Sequence, residues 1–333
     1  MPLSQHIDAG SFVSLNKEYL RLALPDGGAL HVTRKTPLHA PRGAVILVHG
    51  FCQNRYSFHL PARSFTASLV AAGFDTWNVD LRGHGRSHDP HAPAPTFERH
   101  AFEDIPTVYR ACVETTGQTP FLVAHSLGAA ICLAAAPKLD PLPRGIVSIA
   151  GPLRIGGAAV ALGAAVQVGR FWRVWPHRAV PFQPLAQLVA LRPEILGLSP
   201  PLLPHICAPG ATEPAVMAEL LRLSFDRAWL PLAGSLARWG VTGRFDGPQG
   251  EDYAAAFRTI DVPLYAAAGA QDRLIHADEV LPAFETSGSA DRTFRLFGSV
   301  ADGVPFGHVD LLCGKHAPRL VWHEITAWLR ARS

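Results

Sequence analysis

The sequence predicts an α/β protein with a doubly wound, mostly parallel sheet, flanked by helices and interrupted by a long helical insertion. Three observations predict it. Short apolar runs alternate with helical patterns through Gly151, which is the rhythm of a parallel sheet with crossover helices. The runs GAVILVHG, FLVAH and GIVSIAG are continuous rather than alternating, as in strands buried on both faces. The rhythm then stops for roughly a hundred residues and resumes, a length that behaves as a subdomain rather than a loop.

The elements follow in order. Alternating segments at Tyr19–Leu24 and Ala29–Thr33 flank Asp26–Gly28, which reads as a hairpin. Gly43–Gly50 is the first buried strand, Ser64–Gly73 a helix closed by glycine, and Phe74–Asp80 the next strand. Ala101–Gly117 has a helical pattern whose first turn is made irregular by Pro106. FLVAH and the helix SLGAAICLAAA follow, and then the strand Gly145–Gly151. From Pro152 to about Gly250 the chain is rich in Pro, Leu and Trp, with short helical patterns such as Glu213–Phe225 and no convincing buried strand. Alternation resumes with a strand at Val262–Gly269, a helix near Ala277–Phe284, a strand at Arg292–Gly298 and a last helix at Ala317–Arg330. The expected organisation is a core in two parts, 1–151 and 251–333, around an insertion at 152–250.

Composition sets limits. Of 333 residues, 48% are hydrophobic and 17% charged, so a large core is available and disorder is disfavoured. A net charge of +3 with scattered basic residues gives no case for a nucleic-acid partner. Five widely spaced cysteines with no CxxC pattern argue against a disulfide framework or a structural zinc and suit a reducing compartment. The first residues lack a basic segment followed by an apolar one, so no signal peptide is read and a cytoplasmic location is expected. Ile155–Gly169 is apolar but too short and too rich in Gly and Ala for a membrane span, and it lacks a basic face, so no stable membrane insertion is expected.

The chemistry centres on Ala124-His125-Ser126-Leu127-Gly128. A strand that turns sharply into a helix lifts its corner side chain above the sheet, and the crowded flanks must be small; this is the reason for G-x-S-x-G. One position departs, and alanine is the smallest departure. Taken alone, Ser126 reads equally well as a helix N-cap. A serine nucleophile, however, needs a base and an orienting acid, each expected just after a later strand. Asp272 follows one such strand, and His308 lies in a Gly-flanked loop after the last. Asp310 is the alternative acid, less well placed. The negative charge of a tetrahedral intermediate calls for amide donors. Leu127 N–H at the start of the helix is one candidate. Phe51, in the loop His49–Gln53, is the other, with Cys52 as its alternative.

As a set, VILVHGF, DLRGHGRS, AHSLG, GAQDRLI and GHVDLL resemble the landmarks of the α/β-hydrolase superfamily, in order, over about 17–151 and 260–332. FCQNRYSFHLPARSF and GFDTWNVDLRG are similar to lipases of the acid-lipase type and to bacterial esterases. The resemblance implies the α/β-hydrolase fold, with a mostly parallel eight-stranded sheet and a helical cap or lid. It implies Ser126 as nucleophile, His308 as base, Asp272 as acid, and the Phe51 and Leu127 amides as oxyanion hole. Serine at the elbow separates the chain from haloalkane dehalogenases and epoxide hydrolases, which carry Asp there, and from polyhydroxyalkanoate synthases, which carry Cys. Some lipases carry Ala at the position of Ala124.

The function expected is hydrolysis of small apolar carboxylic esters through an acyl-enzyme, with no cofactor and no metal. Other activities on the same triad, acyl transfer or cofactor-free haloperoxidation, and a non-catalytic ligand binder are the competing readings. His125, Trp172 and Trp175 are the expected substrate contacts. Phe171, Phe182, Trp229 and Trp239 divide between an apolar pocket and the core of the insertion. The histidines of GHGRSHDPHAPAPTFERH read as a solvated loop rather than a metal site, because prolines break it and no helix face presents ligands.

Overall fold

The structure, a computed structural model, describes residues 4–8, 13–157, 179–191 and 203–333. The strands in chain order are β1 Ser4–Asp8, β2 Val13–Ala23, β3 Ala29–Thr36, β4 Gly43–Val48, β5 His59–Leu60, β6 Arg63–Ser64, β7 Phe74–Asp80, β8 Phe121–His125, β9 Ile146–Ile149, β10 Ala179–Pro181, β11 Arg227–Trp229, β12 Leu264–Gly269 and β13 Arg292–Phe297. Among the described residues the main sheet has nine strands, in the order β1-β2-β3-β7-β4-β8-β9-β12-β13. From β7 to β13 every pairing is parallel, and β1 to β3 form an antiparallel meander at one edge. The expected eight strands are all present. The ninth, β1, has the sequence SQHID, whose single apolar side chain gives no alternation to read.

Alternate side chains of the parallel strands feed two cores. Val45, Leu47 and Val123 face one side with helix α1 (Phe65–Ala71) and the last helix, His323–Arg330. Ile46, Val48, Leu122 and Ala124 face the other. There they meet α3 (Ile105–Thr116) and α4 (Leu127–Ala135). The irregular start expected at Pro106 is observed. A short α2 (Phe97–Arg99) passes through a π-wound turn, His100–Asp104, into α3, with Pro106 in the first turn where its missing N–H costs little.

Between β9 and β12 the described residues form the helices Phe182–Ala190, Leu203–Ile206, Pro214–Leu223, Leu230–Thr242 and Tyr253–Arg258. Pro214–Leu223 lies within the expected helical stretch. A small antiparallel ribbon joins β10 to β11, where no strand was expected; three residues on each side are too few to show a period of two. Trp229 and Trp239 are core residues. Trp239 meets Phe97 edge-on at 4.7 Å and donates to the Asp246 carbonyl at 2.8 Å, while Trp229 donates to the Gly83 carbonyl at 3.2 Å. No helix among the described residues is long and apolar enough to cross a membrane.

Candidate active site

The site is built where the parallel strands end. Three non-glycine residues among those described have positive φ, Cys52 (56°), Ser126 (54°) and Ala150 (48°), and they follow β4, β8 and β9. Such backbone costs on the order of 1 kcal/mol or more and persists only where the surroundings over-determine it. At Ser126, with ψ −128°, β8 turns directly into α4. The turn is held by the Ser126 amide, which donates to the Ile149 carbonyl of β9 at 2.8 Å, and by the Ser126 carbonyl, which accepts from Ala129 at 2.9 Å. Ser126 does not cap the helix with its side chain, so the N-cap alternative does not account for it. A small residue is required on the helix side. A Cβ on Gly128 would meet the carbonyl oxygens of His49 and Val48, the latter at 2.6 Å. Ala124 is fully buried in register with Val48 and Ser148, on the face that carries the larger core.

His308 and Asp272 meet. The Nδ1 of His308 lies 2.7 Å from Asp272 Oδ2. Asp272 Oδ1 accepts from the amides of Leu274 and Ile275, both at 2.9 Å, so its carboxylate is fixed by the turn just beyond β12. A carboxylate can only accept, which places the ring proton on Nδ1 and leaves the lone pair on Nε2. His308 is brought to the serine's neighbourhood by the adjacent residue. His125 Nε2 donates to the His308 carbonyl at 3.2 Å, and the two rings are 4.6 Å apart.

The loop after β4 packs directly on the Ser126 corner. A Cβ on Gly50 would lie 2.9 Å from Ser126 Cβ and 3.1 Å from Gln53 Oε1, so glycine is what lets this backbone approach. His49 fastens the loop. Its Nδ1 donates to the Gly50 carbonyl at 3.0 Å, and its Nε2 accepts from Leu81 N–H at 3.1 Å. That pattern demands a neutral ring, and burial, helped by nearby His84, pushes its pKa well below the usual value. On its far side the loop is tied to Asp80, which accepts from Arg55 N–H at 2.9 Å and from the Arg55 guanidinium at 2.6 Å. The loop that carries Phe51 thus meets Ser126 through Gly50, and Leu127 follows the serine directly at the start of α4. Leu127 N–H is at the first position of α4, where the helix dipole adds positive potential.

Other expected residues lie elsewhere. His125 was expected to contact substrate, but it is completely enclosed and directed at the His308 backbone. Burial also holds its pKa well below the ordinary value. Trp172 and Trp175 lie outside the described residues, as do Phe171 and most of Ile155–Gly169. Asp310, the alternative acid, is engaged away from His308. Its carboxylate accepts from Gly307 N–H at 2.9 Å, Ala208 N–H at 2.6 Å and the Thr212 hydroxyl at 2.6 Å. His100 is paired with Asp104 at 2.7 Å and His84 with the Arg82 carbonyl at 3.1 Å, and no group of side chains that could hold a metal ion occurs among the described residues. Sequence reasoning placed His49 in the candidate oxyanion loop without a role of its own. The only signal for His49 was its place immediately after a buried strand.

The buried histidines set a pH dependence. Burial lowers the pKa of His84 to about 4, against an unfolded value near 6.5. Between those values the unfolded chain binds more protons. The stability from neutral His84 is therefore full above about pH 6.5 and is lost as pH falls toward 4. Wild type should show a larger drop in Tm between pH 7.5 and pH 4.5 than His84→Gln, which keeps a donor for Arg82 but cannot be charged. Equal drops in differential scanning calorimetry would contradict this assignment.

Comparison with known proteins places the fold. A model of the alpha/beta hydrolase family matches residues 45–324. No curated protein sequence matches the chain. Among solved structures, a soluble variant of monoglyceride lipase from Saccharomyces cerevisiae is 16% identical, with a TM-score of 0.66 over 100% of this chain and 99% of its own. An esterase from Thermogutta terrifontis is 18% identical, with a TM-score of 0.64 over 95% and 99%. A monoacylglycerol lipase from Paleococcus ferrophilus is 19% identical, with a TM-score of 0.60 over 95% and 99%. At these identities the likeness is one of fold.

Proposed function

The chain belongs to the alpha/beta hydrolase family, and from that premise we propose that it hydrolyses carboxylic esters with Ser126 as nucleophile. The observation that carries the proposal is the strained corner at Ser126, with the hydrogen-bonded pair His308–Asp272 tied beside it through His125. In this reading His308 Nε2 takes the Ser126 proton as Oγ attacks the acyl carbon. Asp272 keeps the ring in the required tautomer and stabilises the imidazolium. The Phe51 and Leu127 amides hold the oxyanion, each such donor being worth about 3 kcal/mol in comparable sites. Collapse expels the alcohol, which takes the proton from His308. Water then enters by the same route in reverse and releases the acid. The esterase and lipase structures of similar fold support an ester as the substrate class.

The remaining assignments are part of the same proposal. Residues 152–250 act as a cap over an apolar acyl pocket, and Trp172 and Trp175 contribute to that pocket. The substrate is a small apolar ester, and the protein works in the cytoplasm without a cofactor. His125 serves by seating His308 rather than by touching substrate.

The test is turnover of p-nitrophenyl esters from C2 to C16. Wild type should hydrolyse part of this series, and Ser126→Ala, folded by circular dichroism, should lose about four orders of magnitude in kcat. Retained turnover in Ser126→Ala would contradict the proposal. The chain length that turns over best separates an esterase from a lipase.

A further inference from the structure

The loop after β4 is held from a second direction, by the insertion. Residues 223–226 run along it. Asp226 N–H donates to the Cys52 carbonyl at 2.7 Å, and Gln53 pairs with Phe225 as an isolated antiparallel bridge. Asn54 Nδ2 donates to the Leu223 carbonyl at 2.9 Å, and the Ser57 and Ser224 hydroxyls are 3.0 Å apart. Phe51 and Cys52 also pack with Ala228, Leu230 and Ala233 of the insertion.

One side chain in this set does more than close a gap. Asp226 is 3% exposed, and its carboxylate bridges two elements. Oδ2 accepts from Gly85 N–H at 2.6 Å, in the loop after β7, and Oδ1 accepts from Arg227 N–H at 2.8 Å. The segment that grips Cys52 is thereby anchored to the sheet's own loop. The grip falls on the residue that needs it, because Cys52 holds a left-handed φ of 56° without being glycine. Relaxation of Cys52 to negative φ would rotate the peptide groups on either side of it, including the one nearest the Phe51 amide.

We infer that Asp226 is a positioning residue for the oxyanion loop, holding Cys52 in its strained conformation and so aiming the Phe51 amide at the oxygen that becomes negative when Ser126 attacks the acyl carbon. The inference rests on the ester-hydrolase reading above and names a residue that the reading does not include. It also makes the insertion part of the catalytic geometry. The oxyanion exists only after attack, so loss of aim raises the barrier and leaves ground-state binding of the ester nearly untouched.

The experiment uses the full chain and p-nitrophenyl butyrate, with a trifluoromethyl ketone that forms a tetrahedral adduct on a reactive serine. Asp226→Asn is nearly isosteric, but it turns one carboxylate oxygen into an NH2 group facing an N–H donor. Its kcat should fall by about tenfold to a hundredfold, the ketone's Ki should rise by a similar factor, and KM should stay within about threefold. Glycine adopts positive φ without penalty, so adding Cys52→Gly to Asp226→Asn should recover several-fold in kcat. A purely structural role would lower Tm without this selective loss or its recovery. A folded Asp226→Asn with wild-type kcat and Ki overturns the inference, as does a loss confined to KM. Asp226→Ala is the companion variant, and failure of both to fold also overturns the inference, because the carboxylate would then hold up the fold rather than aim a loop. Absence of Ser126-dependent turnover in wild type is a separate result and sinks the ester-hydrolase reading itself.

Discussion

Replacing His308 with asparagine should lower kcat/KM for a p-nitrophenyl ester by about four orders of magnitude and leave the fold in place. The expected size follows from what the ring does. A serine hydroxyl is almost wholly protonated at neutral pH, and His308 Nε2 is the lone pair that the Asp272 contact leaves available for its proton. Asparagine can neither take up that proton nor return it to the leaving alcohol. Structural damage should be small, because Asp272 keeps its bonds to the Leu274 and Ile275 amides and the His308 carbonyl remains available to His125. Steady-state kinetics together with circular dichroism decide the matter. A loss smaller than about tenfold would remove His308 from the role of base.

The second large effect is on stability. Gly128→Ala should cost about 3 kcal/mol, at the upper end of overpacking changes, and lower Tm by roughly 5–10 °C. The added methyl would meet the backbone carbonyls of His49 and Val48, the second at 2.6 Å, rather than the end of a flexible side chain. Val48 cannot yield easily, since β4 is paired in register with β7 on one side and β8 on the other. Relief must come from α4, which would move the Leu127 amide and lower kcat as well. A Gly128→Ala protein with the melting temperature and kcat of wild type would contradict the close approach of α4 to the β4 loop.

Much of the sheet was legible because its strands are buried on both faces. FLVAH coincides with β8, since burial on two sides leaves a continuous apolar run, and FDTWNVD coincides with β7 although Asp75, Thr76 and Asn78 are buried within it. The meeting of His308 with Asp272 was legible for a related reason. Chain order fixes which strand ends share an edge, and the structure brings His308 and Asp272 into contact there. What stayed hidden depends on tertiary neighbours. The strand β1 and the ribbon β10–β11 are too short or too polar to show a period. The direction of His125 could not be read, because a residue beside a nucleophile can face the cleft or the core, and here it is enclosed against His308. Asp226 left no trace at all, because its meaning comes from Gly85 and Cys52, far away in the chain.

The central claim is that Ser126 is an activated nucleophile. Its most direct measurement is the site of covalent labelling by a fluorophosphonate, read by intact mass and peptide mapping. One adduct should form on wild type, on Ser126, and none on Ser126→Ala. Absence of labelling on folded wild type, or an adduct that persists in Ser126→Ala, would contradict the account.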